Sequence, residues 1–269
     1  MSEAKYTPEE IISRLELKPV TQYQSEIISS PLEPSVVIAG AGSGKTETMS
    51  NRVLYLVANG FVTPDQILGL TFTRKAAGEL SVRIRKRLRQ LAAHKDFKHI
   101  TSTATSVTTY HSYAGKLLSE HAIRYGIDAD AEPLGEAAIW QIASDVVRNW
   151  SDDSYRNQSA VSTVIKDLLG LSKLMLEHQV KAEDIERIGN EVLLSLQPLT
   201  GSSNAEVRDV AKAMRQRNSL LPMVEVFMQR RKAAGEFSFD DQMSLAADIA
   251  QNFEDVGVLE RGKYKVVLL

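Results

Sequence analysis

The sequence predicts an α/β fold: a parallel β-sheet with helices on its faces, interrupted by an all-helical insertion. Three observations predict it. Short β-branched runs alternate with helical stripes over the first 126 residues. From about Asp128 to Gly235 the apolar residues keep helical spacing with almost no strand pattern. The end, Tyr264-Lys265-Val266-Val267-Leu268-Leu269, returns to a run that reads as a buried strand. Strands alternating with helices mark parallel strands joined by crossovers. The expected division is residues 1–126 for the first part of the core, 127–235 for the helical subdomain and 236–269 for the return to the core.

The elements follow in order. Val36 to Ala39 is read as a fully buried strand. The helix after Lys45 places Met49, Val53, Leu54 and Val57 on one face and stops at Gly60. Residues 66–73 give a second strand. A long helix from about Lys75 carries Ala76, Ala77, Leu80, Ile84, Leu88 and Leu91. Val107-Thr108-Thr109 is a third strand, followed by a helix with Ala114, Leu117, Leu118, Ala122 and Tyr125, closed by Gly126. In the middle, Ala138, Ile142, Val146 and Val147 form one stripe; Val164, Leu168, Leu171 and Met175 form another. Val207, Val210, Ala211 and Met214 are read as a third helix, and Met223, Val226 and Phe227 as a fourth, with Gly201 to Asn204 a loop. Trp140 and Trp150 are read as core packing.

The segment Ala39-Gly40-Ala41-Gly42-Ser43-Gly44-Lys45-Thr46 lies between the first strand and its helix. Glycines let successive backbone N–H groups turn inward around phosphate oxygens. Lys45 can reach outer phosphates as a point charge, Thr46 offers a hydroxyl to Mg²⁺, and the helix start favours an anion. The general pattern opens on Gly, where this chain has Ala39.

Composition bounds what else is possible. The chain has 269 residues, 43% hydrophobic, enough for a real core. Its net charge of −2 gives no global basic field, so polyanion contact would need local patches. There is no Cys, which excludes disulfides, thiol nucleophiles and thiolate metal sites. No signal-peptide core or bilayer-length apolar run is present, and the expected location is cytoplasmic, with no membrane partner. A chain ending on a bare core strand is expected to be a piece of a longer protein.

Other constellations are weaker singly. Gln24 lies fifteen positions before Ala39; a carboxamide can pair with adenine, or sit on the surface unused. Thr71-Phe72-Thr73-Arg74 clusters hydroxyls, an aromatic and a cation at a strand's carboxyl end, where open parallel sheets bind ligands. Phe72 is either a stacking surface for a base or a core residue. Between Arg74 and Lys98 nine cations face only Glu79 and Asp96, which suits a polyanion or a solvated helix face. Tyr110 and His111 follow the third strand, and no other His stands at metal-ligand spacing. Asp240 or Asp241 is expected to cap the helix that follows.

Taken in order, these pieces resemble superfamily 1 DNA helicases of the UvrD/Rep/PcrA/RecB type. Gln24 matches the family's adenine-reading glutamine, and Ala39 to Thr46 its phosphate loop, in which the leading Ala is usual. Thr71-Phe72-Thr73 with Lys75-Ala76-Ala77 is similar to its first single-strand-contacting motif. Thr109-Tyr110-His111 is similar to the next, usually Thr-Phe-His. Phe239-Asp240-Asp241 resembles the segment before the second nucleotide motif. The likeness covers about residues 18–125 and 236–269, and its variants look nearest to actinobacterial UvrD-like helicases.

The resemblance implies a RecA-like P-loop NTPase core, truncated, using ATP and Mg²⁺. It implies an ATP-dependent translocase in repair or recombination. The DNA partner is a single strand or a single/double-strand junction, gripped by Thr71, Phe72, Thr73, Arg74, Tyr110 and His111. It also implies a second, C-terminal motor domain. Two departures stand out. The family often has Arg after the loop threonine; this chain has Glu47, so that contact is not carried over. The family's Asp-Glu pair is expected just beyond Leu269. A small-molecule P-loop kinase and a DNA-binding module with a vestigial loop remain the alternatives.

Overall fold

The computed structural model describes residues 4–100, 104–128, 130–151, 160–197 and 205–269. The chain divides into two compact units: residues 1–113 with 253–269, and residues 114–252.

In the first unit, helix α1 (Pro8–Arg14) starts from a Thr7 capping box with Pro at its first position. Helix α2 (Gln22–Ser29) starts from a second box, in which Thr21 and Gln24 exchange hydrogen bonds. Helix α3 (Lys45–Ala58) begins directly after Gly44. Strand β1 (Ile67–Thr71) leads into helix α4 (Arg74–Ala93), whose start is capped by the Thr73 hydroxyl. Strand β2 (Ser106–Thr109) passes at once into helix α5 (Tyr110–His121). Helix α11 (Glu254–Lys263) and strand β3 (Val266–Leu268) complete the unit.

Among the described residues the sheet is parallel, in the order β2-β1-β3. Leu70 stands opposite Thr108, and Leu68 opposite Val267. Val53, Leu54, Leu56 and Val57 of α3 pack with Leu80, Ile84, Leu88 and Leu91 of α4 beneath Ile67 and Val266. Each fully buried side chain of this size contributes about 1.5–3 kcal/mol. The apolar α3–α4 contact therefore outweighs any exposed ion pair, worth about 0–1 kcal/mol.

The expected first strand is not formed. Residues 35–39 pair with no strand of this sheet, and Val36 and Ile38 are 89% and 95% exposed. A strand needs a hydrogen-bonded neighbour for its backbone groups, and none stands beside this segment among the described residues. The last strand is likewise not fully buried. As an edge strand it hides Val266 and leaves Val267 half exposed.

The second unit is helical. Helices α6 (Glu136–Arg148), α7 (Val161–Glu177), α8 (Ala182–Leu196), α9 (Ala205–Ala233) and α10 (Asp241–Asn252) follow the tail of α5. Ala143, Val147, Ile165, Leu168, Val224 and Phe227 lie in its core. The expected third and fourth helices are one helix, α9, running through Pro222. An interior proline removes one helical hydrogen bond. Leu220, Leu221, Met223 and Val224 around it are buried, which holds the helix continuous. The expected loop at 201–204 lies outside the described residues. Trp140 is 45% exposed rather than core, although it shares the side of α6 that carries Ala143 and Val147; Trp150 packs against the core as expected. No helix among the described residues is long and apolar enough to cross a membrane.

Candidate functional site

The loop from Ala39 to Gly44 turns through Gly42 (φ 77°) and Gly44 (φ 87°), left-handed conformations that favour glycine. Among the described residues no side chain caps the start of α3 at Gly44. Its first-turn N–H groups and the positive end of a 14-residue helix therefore meet at the loop, the arrangement that attracts an anion. Lys45 Nζ donates to the carbonyls of Ala39 (3.0 Å) and Gly40 (2.7 Å). The Ser43 hydroxyl also donates to Gly40 (2.8 Å). The loop is thus closed on itself, with Lys45 curled over it. Lys45 and Thr46 are exposed, within reach of solvent.

Gln24 is half-buried against this loop. Its Nε2 donates to the Ser43 carbonyl at 3.2 Å, while its Oε1 accepts from Thr21 N–H. A Cβ added at Gly44 would lie 3.0 Å from the same Nε2. Capping geometry therefore aims the carboxamide at the loop. Thr46 supplies one oxygen, and Mg²⁺ takes six. The donor set fits Mg²⁺ only in company with phosphate and water oxygens.

A second cluster sits at the carboxyl ends of β1 and β2. Phe72 is 89% exposed, which rules out the core alternative. Its ring lies 5.2 Å from that of Tyr110 at a 43° tilt. Parallel pairing of Thr71 with Thr109 places the two motifs side by side. Thr73 caps α4, Thr71 donates to the Thr73 carbonyl (3.1 Å), and Thr109 and Ser112 share a hydroxyl bond of 2.8 Å. Arg74 and His111 are exposed beside them.

Several supporting residues escape a sequence reading. Arg52 Nη1 donates to the carbonyls of Ile27 (2.9 Å), Ile28 (3.1 Å) and Ser30 (3.0 Å), and Nη2 to Pro31 (3.0 Å). It closes the end of the helix that carries Gln24. Burial pulls the Arg52 guanidinium below its ordinary value, with Tyr55 opposing. Glu47 accepts from Arg83 (3.0 Å) and pairs with buried Arg87. The sequence signal for these is faint: Asn51 and Arg52 stand directly before the apolar run 53–58, and a polar group buried there needs a partner.

In the second unit Asp241 does not cap α10. It binds the Ser238 N–H (2.6 Å) and the buried Arg231, while Ser238 Oγ accepts from the Asp241 N–H (3.3 Å). A buried guanidinium demands a carboxylate, and that demand overrides capping. Asp240 pairs with Lys173 (2.6 Å) instead.

Residues 20–269 match the UvrD/REP helicase N-terminal domain. The chain belongs to that family. Within the UvrD/REP family the chain is 36% identical over 111 residues to DNA helicase II of Haemophilus influenzae, covering 41% of this chain and 14% of that protein. It is 30% identical over 143 residues to the ATP-dependent DNA helicase PcrA of Staphylococcus epidermidis, covering 52% and 18%. It is 31% identical over 131 residues to PcrA of Staphylococcus aureus, covering 49% and 17%. The matched stretches thus span less than a fifth of these curated relatives.

Proposed function

We propose that this chain is the ATP- and single-stranded-DNA-binding portion of an ATP-dependent DNA helicase. The observation that carries this reading is the pairing, in one compact unit, of an uncapped glycine-loop helix start with an exposed Phe72–Tyr110 platform. The core is read as RecA-like.

Lys45 leaves the Ala39 and Gly40 carbonyls to neutralise the outer phosphates. The backbone of residues 39–44 cradles them, and Thr46 would supply its hydroxyl to Mg²⁺. Gln24, already against the loop, reads adenine. Phe72 and Tyr110 stack on bases, while Thr71, Thr73, Arg74 and His111 hold the strand. The DNA is single-stranded or at a junction, the cell setting is cytoplasmic repair or recombination, and a second motor domain of the same protein closes the nucleotide cleft. Phosphoryl transfer needs charge stabilisation on several sides of the phosphate. The chain alone is therefore expected to bind nucleotide without robust hydrolysis.

The test is equilibrium binding of Mg²⁺-ADP and a 16-nucleotide oligo-dT to the 269-residue chain. Lys45→Ala is expected to weaken nucleotide at least tenfold. Phe72→Ala is expected to weaken oligo-dT by about 5- to 150-fold, the equivalent of ~1–3 kcal/mol of stacking. No nucleotide binding, or binding indifferent to Lys45, overturns the reading.

A further inference from the structure

The start of α3 is tied to α4 by a polar ladder. Glu47 and Asn51 stand one turn apart on α3; Arg83 and Arg87 stand one turn apart on α4. Glu47 Oε2 accepts from Arg83 Nη1 at 3.0 Å, and Glu47 Oε1 pairs with Arg87 Nη2. Arg87 Nη1 donates to Asn51 Oδ1 at 2.5 Å. Asn51 and Arg87 are 2% and 9% exposed, so water competes little for these bonds. Among the described residues Asn51 Nδ2 is buried without a hydrogen-bond partner, and Arg87 is the partner of its Oδ1.

The ladder joins the two clusters of the candidate site. Glu47 is two residues past Lys45, in the first turn of the helix that receives the phosphate. Arg83 and Arg87 belong to the helix that begins at Arg74, right after Phe72 and Thr73. A continuous helix of this kind is stiff, and Arg83 lies about 14 Å along it from Arg74 at 1.5 Å per residue. A polyanion at the loop repels the Glu47 carboxylate. Among the described residues that carboxylate's side-chain partners are the two guanidinium groups, so a charge change at the loop alters the pull on α4. An acidic residue in a helix's first turn also interacts favourably with the positive helix start, in competition with phosphate.

We propose that Glu47 is a positioning residue that couples phosphate occupancy of the loop to the Phe72–Arg74 end of α4 through Arg83 and Arg87. The proposal rests on the nucleotide and DNA reading above and adds how one ligand senses the other. Coupling of this kind is reciprocal: each ligand changes the affinity of the other by the same factor.

The experiment measures the affinity of the 269-residue chain for fluorescent Mg²⁺-ADP with and without saturating oligo-dT. The unsubstituted chain is expected to show a ratio of about fivefold or more, in either direction. Glu47→Gln keeps the volume and one acceptor but removes the charge; its ratio is expected to fall within about twofold of one while both ligands still bind. Arg83→Ala, at an exposed position, is expected to lose part of the ratio with little effect on folding. Provided each variant is fully folded without ligand, checked by its thermal unfolding midpoint, a loss of stability leaves the ratio unchanged, so the ratio isolates positioning. Both ligands binding with no coupling, or with coupling unchanged in Glu47→Gln and Arg83→Ala, overturns this inference alone. Failure of the unsubstituted chain to bind nucleotide or oligo-dT overturns the functional reading beneath it.

Discussion

Replacing Arg52 by Met isolates the cost of losing the clamp behind Gln24. Met keeps most of the apolar stem and removes every donor. Arg52 bonds four carbonyls, of Ile27, Ile28, Ser30 and Pro31, with the Ser30 hydroxyl as a further acceptor at 2.8 Å. A hydrogen bond to a charged group contributes about 1.5–3 kcal/mol, and a cation at a helix end about 0.3–1 kcal/mol. These contacts share two nitrogens, and solvent reaches the Pro31 side, so they do not add. About 2–3 kcal/mol is the net expectation. Hydrogen exchange resolves it by location: amide protection across Gln22–Ser29 is expected to fall by about 30- to 160-fold, at 1.36 kcal/mol per tenfold. Arg52→Lys keeps the charge without the planar fork and is expected to recover less than half of the loss. Protection of Gln22–Ser29 unchanged within about threefold in Arg52→Met would refute the clamp.

Two further predictions concern the same unit. Gly44→Ala forces an L-residue to φ 87° and sets a Cβ 3.0 Å from Gln24 Nε2. A left-handed L-residue costs about 1–2 kcal/mol, so the denaturant midpoint is expected to fall and the Gln24–Ser43 bond to break, read by denaturation and by nucleotide affinity. The Glu9 carboxyl is held below its ordinary value of 4.5, first by a hydrogen bond from Ser25. A lowered folded pKa contributes stability that is present above 4.5 and is lost as pH falls through the folded value. Ser25→Ala is expected to flatten that acid-side loss, measured as denaturation midpoints across the range.

The fold could be read from the sequence wherever local chemistry and burial agreed. Helices α3 and α4 show their stripes because Leu54, Leu80, Ile84 and Leu88 face one core. Strands β1 and β2 appear within a residue or two of expectation because both are paired in the sheet. Val36–Ile38 has the same β-branched composition and forms no strand, because pairing is a property of neighbours. The break expected in α9 fails for the same kind of reason: burial around Pro222 outweighs the proline's own preference.

By itself, then, the sequence determined the glycine loop proposed to hold phosphate. Glycines, a lysine and a threonine in fixed order have little other chemistry to serve, and that chemistry is local. It likewise determined the aromatic–hydroxyl motifs at the two strand ends. Only tertiary structure decided that Phe72 is exposed against Tyr110, that Gln24 leans on the loop, and that Glu47 is held by two arginines 36 and 40 residues away. Those facts depend on which helices pack together. Coulomb attraction and hydrogen bonding act over a few ångströms of space, and spacing along a chain does not encode that distance.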